Sequence, residues 1–279
     1  MKWKVLPWDR TLLISYYHIL SVLSVIASFV FLVCDIPDSA KFPVGIGMIA
    51  AFSAIYIIMW NAANHKEKIT LNINDSLLEI CEGDLFACEG FKVIAFNEYF
   101  DTQVDDIIIS SRSLNGRYLL EYVEDIRELD SRIVADRHLQ NRILETTDRS
   151  SGKKIRYMLG SIFKNDSYFL TAFSRSDANN RAHLTMNDYI SCLMNFWSEC
   201  DIFYVGQSVS MPLLGSGITR FQGYEDVTEQ ELLELMIWSF KMSKLRFQHP
   251  SKVKIVLTRN LLSKINLYEL KQRFEKHYF

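Results

Sequence analysis

The segment Ser208 to Phe221 runs from an apolar stretch into Gly215-Ser216-Gly217, and a helical pattern begins a few residues later. Two glycines permit positive φ and bring backbone N–H groups close to an anion, which is how a loop cradles phosphates. Arg220 would add a cation there, and Phe221 a ring able to cover a sugar or a base. A G-x-G on its own is also what a structural turn looks like, so both readings stand at this point.

Two further segments carry groups that suit a nucleotide. Glu82-Gly83-Asp84-Leu85-Phe86 follows an apolar run, and a carboxylate at Asp84 would accept a hydrogen bond from an amino group such as that of adenine. The plainer reading is an Asx turn capping the next element. Ala95 to Phe100 contains Asn97, suited to a ribose hydroxyl or to ordinary turn chemistry. Asp101, Asp105 and Asp106 are carboxylates without a recognisable acid–base spacing, and a solvated loop explains them. No catalytic residue is assigned. The five cysteines, Cys34, Cys81, Cys88, Cys192 and Cys200, form no C-x-x-C pair. Zinc and dithiol chemistry are therefore not expected, and unpaired thiols fit a reducing compartment. The net charge of −2 offers no field for nucleic acid.

These segments need strands and helices to bring them together. Leu77 to Cys81 and Lys92 to Phe96 read as strands, and Lys252 to Leu257 as a β-branched strand. Gly116 to Thr147 has helical spacing. Ile155 to Leu159 and Tyr168 to Phe173 read as a hairpin about Lys164-Asn165-Asp166. Thr185 to Glu199 is a helix with Thr185 as cap and Asp188 three residues on. Thr228 to Arg246 is another, with Glu231 completing a capping box. A helix from Leu262 to Lys276 closes the chain. Interleaved strands and helices predict a layered α/β domain.

The N-terminal part is different. Residues 11–34 and 42–60 are uncharged apart from His18, and each is long enough to cross a hydrocarbon core of ~30 Å. Residues 1–65 therefore form a transmembrane hairpin, with 66–279 as a ligand-binding domain. Lys2, Lys4, Arg10, Lys66 and Lys68 flank the spans, whereas the connecting loop offers Lys41 against Asp35 and Asp38. The positive-inside tendency puts both termini and the soluble domain in the cytoplasm.

The three segments together resemble the macro domain, whose pattern is G-D-[IL] after an early strand, a strand ending in Asn, and a late P-x-[LI]-G-[ST]-G loop followed by an aromatic residue. Here these stand as Gly83-Asp84-Leu85, Phe96-Asn97, and Pro212 to Gly217 with Phe221. With two N-terminal spans, Tyr157 to Ser161, Tyr168 to Phe173 and Ser176 to Asn179, almost the whole chain is similar to the membrane-anchored macro-domain effectors of Thoeris anti-phage defence. The resemblance implies a three-layer α/β domain with a mixed sheet behind the hairpin. It implies that Asp84 meets adenine with Leu85 beside it. Asn97 would lie near the distal ribose, and Leu214, Gly215, Ser216, Gly217 and Ile218 would hold the diphosphate with Arg220 and Phe221 nearby. The ligand would be an ADP-ribose derivative made from NAD by a TIR-domain partner. The chain would then self-associate as a homo-oligomer and harm the bilayer of the bacterial inner membrane. No cofactor, metal or nucleic acid is expected. The alternatives are a membrane-tethered ADP-ribosyl hydrolase and a non-catalytic anchor for a partner protein. In one place the chain departs from the family: where hydrolytic macro domains carry a Gly-rich stretch after the Asn, residues 98–115 hold no glycine. The segment Ser110 to Gly116 is the candidate replacement, with Arg112 offering a cation; a solvated loop is the other reading.

Overall fold

The computed structural model describes residues 3–177, 179–217 and 219–275. By their contacts these fall into two units, one from Thr70 to Leu262 and one joining the N-terminal part up to Ile69 with the segment from Ser263 onward.

The first unit is built on two helices, α1 (Arg10–Val33) and α2 (Asp38–Asn64). Both are long and apolar enough to cross a bilayer. Asp9 caps α1 by accepting from the Leu12 backbone N–H at 3.0 Å. Pro37 stands at the N-cap of α2, which therefore begins earlier than the uncharged run and takes in Asp38 and Lys41, an i,i+3 ion pair. The preceding segment folds back on the base of α2. Val5 is fully buried, its N–H donating to Asn64 Oδ1 at 3.0 Å and its carbonyl accepting from Asn64 Nδ2 and Trp60 Nε1. One Asn side chain thus satisfies both backbone groups of Val5, as a buried peptide requires. The last described helix (Leu267–Glu275) joins this unit by packing Tyr268 against Val5, Leu12 and Ala63 and by an Asn266 bond to Asp9 at 3.2 Å. The expected single helix over 262–276 is in fact two. Arg259–Leu262 belongs to the larger unit, and the chain breaks before Leu267.

In the larger unit the strands are β1 (Lys68–Ile73), β2 (Ser76–Glu82), β3 (Phe91–Asn97), β4 (Ile143–Thr146), β5 (Ile155–Tyr157), β6 (Ile162–Asn165), β7 (Tyr168–Ser176), β8 (Ala182–Leu184), β9 (Val209–Pro212), β10 (Arg220–Phe221) and β11 (Lys252–Leu257). The main sheet has the order β1-β2-β11-β9-β3-β7-β8-β10, with β6 also on β7. The neighbours β2, β11, β9, β3 and β7 are all parallel, so their carboxyl ends share one edge. The β6–β7 and β7–β8 pairs are antiparallel, which makes the sheet mixed. The hairpin expected between 155–159 and 168–173 is really β6 with β7. Ile155–Tyr157 instead pairs with β4 in a separate two-stranded ribbon. The reason is Asp166 with φ +49, which makes the turn immediately before Tyr168, so the strand pairing there is the one just upstream.

Helices cover both faces. On one lie α3 (Leu114–Glu121), α4 (Ile126–Ala135) and α5 (Arg137–Gln140), where sequence spacing predicts one long helical stretch. Asp125 and Asp136 each cap a new start, which divides it, and its end at Ile143–Thr146 is not helical but forms β4 against β5. Tyr118, Leu119, Leu129, Ile133 and Leu139 from these helices meet Ile94 and Phe96 of β3 and Leu170 and Ala172 of β7. At ~1.5–3 kcal/mol per buried large apolar side chain, this face supplies much of the stability. On the other face lie α6 (Met186–Phe203) and α7 (Glu229–Ser243), each started by the capping box that its sequence predicts. Trp197 of α6 donates to Ser239 Oγ of α7 at 2.9 Å, so the indole N–H is satisfied within the layer.

Candidate ligand-binding site

The carboxyl edge of the parallel strands is where ligands of open α/β sheets bind, and the three predicted segments end there. Asp84 follows β2, Asn97 ends β3, and the loop from Leu213 follows β9. Strands β2 and β3 are three positions apart, ~14 Å at the usual ~4.8 Å spacing, with β11 and β9 between them. The next strand after β9 is β10, on the far side of β7 and β8 and antiparallel to β7. The connecting loop therefore crosses over the carboxyl ends of β3 and β7.

That loop is held at both ends. Gly215 has φ +88, and a β-carbon there would stand 2.9 Å from the Phe221 ring and 3.4 Å from Tyr189. Phe221 is buried and lies edge-on to Tyr189 at 5.4 Å between centroids. The Tyr189 hydroxyl donates to the Leu214 carbonyl at 3.0 Å. Ser216 Oγ donates to the Leu213 carbonyl at 2.7 Å. Leu213 and Leu214 are buried and anchor the near end. Of the two glycines that permit positive φ, the loop uses one in that way. Gly215 is that one, and a β-carbon at Gly217 meets open space. The loop residues Gly215 to Gly217, with Arg220 and Phe221, line a cavity of about 330 Å³ that Glu225, Glu229 and Leu232 also line. Ile218 lies outside the described residues.

Asp84 is the N-cap of a one-turn 3₁₀ helix (Leu85–Ala87), accepting from the Phe86 N–H at 3.1 Å. Its carboxylate is also paired with Arg117 Nη1 at 3.0 and 3.2 Å. Arg117 lies over the Phe86 ring at 4.6 Å and donates from Nε to Glu121 at 3.0 Å. Glu121 and then Asp84 hold its guanidinium protonated. Leu85 is buried. Gly83 N–H donates to the Leu257 carbonyl, locking this corner to β11.

Asn97 is turned into the protein's own network. Its Oδ1 accepts from the N–H groups of Tyr99 and Asp101, and its Nδ2 donates to Asp101 Oδ2 at 2.8 Å. Asp101 is 1% exposed and accepts from Arg149 Nη1 at 2.9 Å and the Lys153 N–H at 2.6 Å. Arg149 lies 3.9 Å over the Tyr99 ring and reaches Asn180 with its other Nη. Burial lowers the Lys153 ammonium's pKa, opposed by Asp130 at 2.5 Å. Glu98, next along, is buried among Arg156 and Arg175. Burial raises its pKa, and the two guanidinium groups oppose the shift.

The glycine-free stretch after Asn97 caps itself. Asp105 accepts from Ile107 and Ile108 N–H, and Asp106 from the Ser111 N–H and hydroxyl. Those backbone bonds hold both carboxyls below the usual range. Ser113 caps α3, and Gly116 is pressed so closely on Ser110 that a β-carbon would meet its carbonyl at 2.2 Å. Arg112 is exposed beside this turn.

The sequence reading did not find Arg117, Tyr189, Arg149 or Asn180. Arg117 carries a local mark, its i,i+4 spacing to Glu121, but its bond to Asp84 spans 33 positions, and nothing local reports it.

Residues 78–258 match the family model "Thoeris protein ThsA, Macro domain". The chain belongs to that family. It is 46% identical over 227 residues to the Thoeris protein ThsA of Bacillus amyloliquefaciens (strain Y2), covering 80% of this chain and 76% of that one. Among solved structures it is similar to an Oceanobacillus iheyensis macrodomain with ADP, at 16% identity and TM-score 0.46 over 75% of this chain and 97% of that one. A mutant of that macrodomain gives 16% identity and TM-score 0.48 over 76% of this chain and 100% of that one. The α/β unit is thus a macro domain with a mixed sheet, and two long apolar helices precede it.

Proposed function

We propose that this protein is a membrane-anchored effector of Thoeris anti-phage defence. Its macro domain binds an ADP-ribose-derived signal made by a TIR-domain, NAD-consuming partner, and the bound chains assemble into a homo-oligomer that disrupts the host inner membrane. The observation that carries this reading is a covalent one. A single chain joins two helices of bilayer length to a loop that crosses the carboxyl edge of a parallel sheet, with Gly215 in the backbone conformation that such a loop requires. Asp84 follows β2, the loop Leu214 to Gly217 leaves β9 and Asn97 ends β3, strands that stand in that order along the edge, a spread suited to adenosine, diphosphate and second ribose. Arg220 and Arg112 supply cations to the phosphates.

Binding without turnover is part of the proposal. The side chains of Asn97 and Asp101 are engaged with each other and with Arg149 and Lys153, so neither is free to activate water. Both termini and the macro domain are assigned to the cytoplasm by the flanking cations. Two helices are too few to enclose a channel, so the membrane step needs several chains. A ligand drives that step only by binding the assembled state more tightly than the free one.

The test reconstitutes the full chain in dye-loaded vesicles and adds ADP-ribose or the NAD-derived products of a TIR-domain enzyme. Ligand-dependent leakage together with a larger particle size supports the reading. Saturated binding with neither change contradicts the effector half of it. Steady release of free ADP-ribose from a decorated ligand would contradict the binding-only half.

A further inference from the structure

The carboxylate expected to select the ligand's base does not stand alone. Both Asp84 oxygens accept from Arg117 Nη1, at 3.2 and 3.0 Å, and both side chains remain reachable, 45% and 38% exposed. Arg117 is held from two other directions. Its Nε is fixed to Glu121, and its guanidinium lies over Phe86, which in turn stacks on Tyr122 at 4.5 Å with the rings 5° from parallel. The donor is therefore placed, not floating.

An isolated carboxylate only accepts hydrogen bonds, so it suits a 6-amino purine and repels a 6-oxo one. A carboxylate with a guanidinium N–H beside it offers an acceptor and a donor at the same edge. We infer that Arg117 sets the base specificity of this site, making the Asp84 corner tolerant of a 6-oxo purine as well as adenine. The inference rests on the ligand reading given above and deepens it. A 6-amino group accepts no bond from Arg117 and bonds Asp84, whereas a 6-oxo group accepts from Arg117, so neither base leaves a partner unmatched. Removing Arg117 restores the cost of facing an oxygen with a carboxylate, which is of the size that an unmatched polar group imposes.

The experiment titrates the full chain in detergent with ADP-ribose and with inosine diphosphate ribose, for the unaltered protein and for Arg117→Ala and Arg117→Lys. The unaltered protein is expected to bind the two within about threefold. Arg117→Ala should widen the preference for ADP-ribose to about tenfold or more, a shift of the order set by one unmatched polar group. Arg117→Lys, which keeps a cationic donor, should stay near the unaltered ratio. A purely structural role for Arg117 would weaken both ligands equally and leave the ratio unmoved; that result overturns the inference, as does a strong preference for adenine in the unaltered protein. If neither nucleotide binds the unaltered chain, or if Asp84→Ala leaves ADP-ribose affinity unchanged, the ligand reading itself has failed; if both bind and Asp84→Ala weakens ADP-ribose but the ratio is unmoved by Arg117→Ala, only the inference about Arg117 has failed.

Discussion

The ring of Phe221 closes on Gly215: a β-carbon at Gly215 would stand 2.9 Å from Phe221 Cζ, and the glycine holds φ +88. The two residues bracket the loop tip, so the shape of the tip depends on one residue without a side chain and another with a large one. Gly215→Ala adds left-handed strain and a clash, together about 2–4 kcal/mol. Thermal unfolding should show that loss, whereas Gly217→Ala, which meets open space, should leave the midpoint within a degree or two. Equal effects at the two positions would contradict the assignment of the strained turn to Gly215.

The Asp101 carboxylate is the centre of a buried network, so its removal strands Arg149. Breaking one partner of a buried pair costs ~3–5 kcal/mol. Asp101→Ala and Arg149→Ala should each destabilise by about that amount in denaturant titrations. The double variant should lose much less than the two losses added, because the second change removes a charge already stranded. Additive losses would mean that the pair is not coupled.

Asp188 gives a pH-dependent test. Its bidentate bonds to Arg175, at 2.8 and 3.1 Å, and its contacts to Thr185 lower its pKa to about 2. A depressed carboxyl contributes stability that is present above its ordinary value near 3.8 and is lost as pH falls through the folded value. Asp188→Asn should therefore cost about 2 kcal/mol at pH 7, and the gap to the unaltered protein should narrow between pH 4 and pH 2. A gap constant across that range would rule out the ionised pair as its cause.

At the base of the hairpin, Asn64 satisfies both backbone groups of Val5. Asn64→Ala should leave the Val5 amide unprotected and raise its hydrogen exchange by about tenfold or more, while the middle of α2 exchanges as before. Unchanged exchange at Val5 would show that burial alone protects it.

Much of this was legible in local sequence, for physical reasons. Thr185 and Thr228 each precede an acidic residue by three positions, and both capping boxes form, because the groups involved lie within one turn. The loop after β9 was legible from Gly215, yet which of its two glycines is strained was not. That depends on Phe221 arriving from β10, beyond β7 and β8. The occupation of Asn97 was hidden as well, since Asp101 is only four residues away but is fixed by Arg149 and Lys153, about fifty residues on. The grouping of Leu267–Glu275 with the N-terminal helices rests on Asn266 and Asp9, 257 positions apart, a contact that no periodicity reports. The two long apolar helices were the easiest to read because length and apolarity are properties of the segment itself.

The central claim, that the loop across the carboxyl edge holds a diphosphate, is tested most directly by calorimetric titration of the full chain in detergent with ADP-ribose, with Gly217→Glu beside it. A β-carbon at Gly217 meets open space, so the variant should fold and differ mainly in placing a carboxylate where the phosphates belong. The account predicts saturable binding by the unaltered protein and a loss of about a hundredfold or more in the variant, the order expected when a charge-assisted contact becomes a repulsion. Equal affinities in the two proteins would contradict it.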